Sequence, residues 1–101
     1  MEGTELVCFQ IISAVGSAKS MYIQAIQEAK VGNFQEANKL MSEGEAIFLE
    51  GHTAHSSLIQ QEASGETVAF SLLLMHAEDQ LMTTETFKII AQEFNEIYQN
   101  K

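Results

Sequence analysis

Polar and apolar positions alternate in three long amphipathic stretches, broken at only two places. The first break is Val31-Gly32-Asn33-Phe34-Gln35-Glu36 and the second is Ala63-Ser64-Gly65-Glu66-Thr67. At the first, Gly32 can close one helix, and Asn33 can open the next, with Glu36 completing an Asn-x-x-Glu capping box. The second is a short polar stretch centred on glycine. The pattern predicts helices over 4–31, 34–62 and 67–99. The chain has no proline, so nothing forbids long uninterrupted helices. Its Ala, Glu, Gln, Leu, Met and Lys are good helix formers. At 1.5 Å per residue each helix would be about 40 Å long. Short connections force antiparallel neighbours. The expected fold is therefore all-α: a single domain over 1–101, built as an up-down-up three-helix bundle.

The third helix is too apolar for that bundle alone. With Leu72 at zero and about 100° per residue, Leu72, Leu73, Met75, Met82, Phe87, Ile89, Ile90, Phe94, Ile97 and Tyr98 cover an arc of about 200°. Glu78, Glu85, Lys88, Gln92 and Glu96 take the opposite side. A stripe a little over 100° wide suffices for a monomer, so the third helix is expected to pack on a second surface as well. A homo-oligomer is the economical partner. Two residues break the apolar pattern. His76 lies about 40° from Leu72, and Asp79 about 20° to its other side. Leu72, His76, Asp79, Thr83, Thr86 and Ile90 thus form one seam. A carboxylate buried there must be protonated, paired or bound to a cation. Asp79 and His76 could simply satisfy each other, or Asp79 could bond Thr83.

Charge narrows the functions open to such a bundle. Five lysines, no arginine and fourteen acids give a net charge of −9, with Asp79 the sole aspartate. Phosphate backbones are neutralised by clustered Lys and Arg, so a nucleic-acid partner is not expected. The same charge disfavours an anionic membrane surface. No uninterrupted apolar run approaches the ~20 residues of a membrane span, and no basic segment precedes an apolar one. The lone Cys8 excludes an internal disulfide, and fits a cytoplasmic setting and a small buried hydrophobe. Glu28, Glu36, Glu43 and Glu45 read as a solvated face.

The segment His76-Ala77-Glu78-Asp79-Gln80-Leu81-Met82-Thr83-Thr84 resembles the active-site segment of the lactose/cellobiose-class enzyme IIA of the bacterial phosphoenolpyruvate-dependent sugar phosphotransferase system (PTS). In that family it usually reads His-Ala/Gly-Gln-Asp-His-Leu-Met-Thr. Gly16-Ser17-Ala18-Lys19-Ser20 is similar to a stretch of the family's first helix. Gly32-Asn33-Phe34 followed by Ala37 resembles its Gly-Asp-Phe turn. Glu50-Gly51-His52, Leu58-Ile59 and Glu62-Ala63-Ser64-Gly65-Glu66 are similar to its Glu-Ala-His and Glu-Ala-Gly/Ser-Gly-Glu run. The motifs follow in order along nearly the whole chain.

The resemblance implies a homotrimer, a nine-helix bundle, which would absorb the surplus apolar arc. It implies that His76 is phosphorylated by the histidine-containing phosphocarrier HPr and passes the group to a cysteine of the cognate IIB subunit. The membrane IIC subunit would then select the sugar, a disaccharide such as lactose, cellobiose or chitobiose. It also implies that Asp79 meets its symmetry mates at the trimer axis and shares a divalent cation such as Mg²⁺. Three facing carboxylates repel one another, and an oxygen-preferring cation offsets that.

Two positions depart from the family pattern: Glu78 replaces the usual Gln, and Gln80 the usual His. Glu78 lies two residues from His76 and points away from it on a straight helix, yet adds negative charge near an incoming phosphate. Gln80 leaves His76 the only histidine of the segment. His52 matches a family histidine and could line the groove beside His76, whereas His55 reads as part of a solvated face. An alternative of another class is a metal-binding bundle, because His52 and His55 are spaced as ligands and could join His76 and Asp79. Met75 beside His76 is suited to surfaces that must fit two partners.

Overall fold

The computed structural model describes residues 3–101 and holds three helices: α1 (Gly3–Lys30), α2 (Phe34–Ala63) and α3 (Leu72–Gln99). They lie side by side in a rod of 51 × 23 × 19 Å. The expected all-α, up-down-up bundle is what the chain forms. The buried residues of α1 are Cys8, Ile11, Val15, Ala18, Tyr22, Ala25 and Ala29, an unbroken alternation of three- and four-residue steps. Such a seam keeps one face of a helix on its neighbours over its full length. α1 packs along both other helices, while α2 and α3 touch more sparingly. By length and composition α1 alone would pass as a membrane span. Its seam residues from Cys8 to Ala25 are instead wholly enclosed by the bundle.

α1 and α2 meet closely because α2 presents two glycines one heptad apart. A Cβ on Gly44 would lie 2.7 Å from a Tyr22 ring carbon, and one on Gly51 would lie 2.9 Å from Val15 Cγ1. Both are shorter than van der Waals contact, so these positions admit hydrogen only.

The breaks behave in part as expected. After α1, Gly32 adopts φ +85°, its N–H donates to the carbonyl of Ala29, and the N–H of Asn33 donates to that of Glu28. After α2, Gly65 (φ +93°) and Glu66 repeat the pattern onto Glu62 and Gln61. Both are Schellman turns, in which glycine takes the left-handed residue. The capping box does not form. Asn33 begins α2, but its side chain makes no cap bond; its Nδ2 instead donates to Glu28 Oε2 at 2.8 Å, tying the turn back to α1.

α3 starts at Leu72 and not at residue 67. Ser71 is its N-cap, in extended conformation, with its Oγ accepting from the Leu74 N–H at 3.0 Å. The residues after Gly65 are irregular up to that cap. The connection is thus eight residues long, 64–71, and the apolar run Val68–Met75 straddles the helix start. A serine inside an apolar run is a weak signal beside a glycine-centred polar stretch, which is why the sequence pattern places the boundary too early.

The polar side of α3 also differs from expectation. Lys88 and Glu78, assigned with Glu85, Gln92 and Glu96 to the side away from the apolar arc, face α2. Lys88 Nζ sits 5.0 Å above the Phe48 ring and 3.9 Å from Glu45. Its aliphatic stem covers apolar surface while the ammonium stays wet. Glu78 bonds His55, and Gln99 Nε2 donates to Asn38 at the far end. These three polar contacts line the seam between α2 and α3, where the two helices approach only sparingly.

Candidate functional site

Ser71 fixes where α3 begins, and five residues on, one turn and a half, comes His76. Its side chain is exposed and shares a hollow of about 350 Å³ with Leu72, Met75 and Asp79. Spacings of three and four residues from Leu72 put these on one face. The seam drawn from the sequence is therefore real, but in a single chain it is not buried. Leu72 is 73% exposed, Met82 61% and Ile90 45%. The face of α3 that enters the core runs instead through Ala77, Leu81, Thr84, Ala91 and Asn95. The arc of about 200° thus resolves into two faces, one covered by α1 and α2 and one open. Any burial of Asp79 must come from an assembly, not from its own chain.

The local pairings that would make Asp79 unremarkable are not formed. Thr83 Oγ1 donates to the backbone carbonyl of Asp79 at 2.8 Å, and to that of Gln80, so it serves the helix and not the carboxylate. Among the described residues the Asp79 carboxylate has no hydrogen-bond or ion-pair partner, and neither does the His76 imidazole. A carboxylate and an imidazole, both unengaged, thus stand one turn apart on an apolar surface.

Other residues read from the sequence lie elsewhere. His52 is exposed on α2, and Gln80 is half-buried on α3. Glu78 borders a different hollow, with Leu58, Ile59, Glu62, Val68, Phe70 and Leu74. His55 is not on a solvated face: its Nε2 lies 2.8 Å from Glu78 Oε2, and its side chain is 20% exposed. Because an ionised carboxylate can only accept, His55 Nε2 carries the proton in this bond. The four-ligand site of His52, His55, His76 and Asp79 is not assembled. Among the described residues no three His, Cys, Asp or Glu side chains come together to hold a metal ion. The His55–Glu78 pair escaped the sequence reading because it depends on register between helices. The signal available was that residues at similar distances from the connection come near each other across an antiparallel pair, His55 nine residues before Ser64 and Glu78 seven after Ser71.

Cys8 is wholly enclosed. Burial pushes its thiol above the usual range, and the negative charges of Glu78 and Glu5 add to that. It is a small core hydrophobe, unsuited to thiolate chemistry.

The chain is thus a rod of three helices with one open apolar face, on which a histidine and an aspartate stand unengaged among the described residues. The family profile described as "PTS system, Lactose/Cellobiose specific IIA subunit" matches residues 6–99. The chain is 36% identical over 97 residues to the lactose-specific EIIA component of Staphylococcus aureus, covering 96% of this chain and 94% of that one. It is 40% identical over 97 residues to the oligo-beta-mannoside-specific EIIA component of Bacillus subtilis, covering 96% and 88%. The crystal structure of the cellobiose-specific enzyme IIA from Bacillus anthracis superposes with a TM-score of 0.93 at 39% identity, covering 99% of this chain and 93% of that one. PtcA from S. mutans gives 0.91 at 33%, covering 98% and 99%. The chain belongs to the lactose/cellobiose-specific IIA family of the sugar phosphotransferase system. It is accordingly a phosphotransferase component that carries phosphoryl groups in sugar uptake.

Proposed function

We propose that His76 is the phosphoryl carrier of this protein. Its neutral imidazole attacks the phosphorus of phospho-HPr, the bond from phosphorus to the HPr histidine breaks, and a phosphoramidate forms on His76. A cysteine thiolate of the cognate IIB subunit then attacks the same phosphorus and His76 is released. Imidazole is nucleophilic near neutral pH, and its phosphoramidate retains the potential to pass the group onward. The transfer asks the protein chiefly for positioning and access. The observation that carries this reading is the exposure of His76 on the open face of α3. A group that must meet two macromolecules in turn cannot sit in a closed pocket. The adjoining Met75, 49% exposed, supplies an adaptable apolar contact. The sugar would be a disaccharide of the lactose, cellobiose or chitobiose type, taken up through a membrane IIC subunit while this chain stays in the cytoplasm.

We further propose that three copies assemble along the open faces of α3 into a nine-helix bundle, with Asp79 of each at the axis and His76, on the other side of Leu72 from Asp79, at the rim of the contact where partners still reach it. Asp79 fits a shared cation by its donor chemistry: it is an oxygen ligand, unengaged within its own chain, on a surface otherwise apolar. A divalent ion such as magnesium would offset the repulsion among three carboxylates.

Incubation with phosphoenolpyruvate, enzyme I and HPr is expected to place one acid-labile phosphate per chain. The His76→Ala protein, folded and of the same oligomeric state, should take none. Full labelling of that variant would overturn the assignment.

A further inference from the structure

His55 and Glu78 form the contact that the family pattern does not account for. Glu78 stands where the family usually carries Gln, and so brings a full negative charge to within two residues of a histidine that must receive a phosphate. The structure turns that carboxylate to the other side of α3. On the helical wheel Glu78 lies about 200° from His76, and it borders the hollow facing α2, while His76 borders the open one. His55 holds it there at 2.8 Å.

The same bond is mechanically placed. α2 and α3 meet sparingly, and the polar links along their seam are spread out. Gln99–Asn38 lies at the far end and Lys88–Glu45 at mid-length, so His55–Glu78 is the one beside the first turns of α3. Those turns follow the irregular connection 66–70 and are otherwise held by the Ser71 cap, by Leu73 and Leu74 packed half-buried against the core, and by the buried Ala77 and Leu81.

We propose that His55 is a positioning residue for phosphoryl transfer at His76. By donating to Glu78 it ties the turn that carries His76 to α2. This rests on His76 being the phosphorylated residue. His55 touches neither the phosphate nor His76, and acts only through Glu78 and the helix that bears it.

The test is single-turnover transfer from purified phospho-HPr, with rates normalised to the chains that become phosphorylated, so that a misfolded fraction does not count. His55→Ala is expected to lower the rate at saturating phospho-HPr by about three- to tenfold. The concentration for half-maximal rate should stay within about twofold of wild type. His55→Gln, whose amide N–H can still donate to Glu78, should recover most of the rate. Glu78→Ala should be as slow as His55→Ala, and the double variant no slower than either, because one bond is lost in all three. Wild-type rate in His55→Ala overturns the proposal, as does His55→Gln slowed as much as His55→Ala, or strictly multiplicative losses in the double variant. Failure of the His76 reading would appear as wild-type labelling of the His76→Ala protein. That outcome overturns the reading of His76 and this proposal with it, whereas loss of labelling in His76→Ala together with an indifferent His55 overturns this proposal alone.

Discussion

Tyr22 is wholly enclosed in the C-terminal half of α1, and its hydroxyl has no protein partner among the described residues. Burial, aided by the negative charge of Glu45, pushes its pKa from 10.0 up to about 12. Between those values the unfolded chain has released the proton that the folded chain keeps, so folding stability declines as pH rises through this window. A shift of about two units corresponds to a loss of about 2–3 kcal/mol at most. Tyr22→Phe removes the titrating group and an unpartnered polar atom while keeping the ring against Gly44. It is expected to be neutral or stabilising by about 1 kcal/mol at pH 7 and to flatten stability above pH 10, as urea melts across pH 8–12 would show. Single residues were legible from sequence when their type was out of place. His76 and Asp79 stood out as polar residues in an apolar seam, and Cys8 as a small hydrophobe among larger ones. His55, Glu78 and Lys88 were not legible, because each looked like an ordinary polar residue until the register of α2 against α3 brought it a partner.

The helices follow from local pattern, and their ends from less. Both glycine turns were readable, since only glycine takes φ near +85° or +93° without strain. The start of α3 was not, because Ser71 is hidden within an apolar run. Ser71→Ala is expected to cost about 1 kcal/mol, and to speed amide exchange at Leu74, whose N–H loses its acceptor. The closeness of α1 and α2 was equally invisible, since a helical glycine alone does not say what passes over it. Gly44→Ala sets two magnitudes against each other. Helix propensity gains about 1 kcal/mol, but a methyl 2.7 Å from the Tyr22 ring must displace a side chain with nowhere to go. Overpacking costs of about 1–3 kcal/mol prevail, and the urea midpoint should fall.

At the scale of the molecule, α3 carries two faces and its own chain covers one. The width of the apolar arc was legible in the sequence. Which part of it met the core was not, because the wheel of one helix does not say where its neighbours lie. The open face, Leu72, Met75, Met82, Ile89, Ile90, Phe94 and Ile97, is continuous from one end of α3 to the other. Under the proposed trimer, Ile90→Asp would bury three charges together. It is expected to yield monomers by sedimentation at micromolar concentration, with helix content largely retained. Chelation should lower the thermal midpoint of the wild-type protein, because an ion bound only to the folded assembly stabilises it by mass action. Asp79→Asn should make that midpoint indifferent to chelator.

The connection 64–71 has a practical consequence. α1 and α2 are joined by three residues committed to a Schellman turn, and any insertion there would break it. The longer connection holds its backbone bonds at its two ends, Ser64–Glu66 and Ser71, and Ala69 and Phe70 between them are exposed. Between those two residues the chain should tolerate a spliced peptide of arbitrary length, since exposed loop tips free of ladder bonds accept insertions. A reporter placed there would sit six residues ahead of His76 without entering any helix.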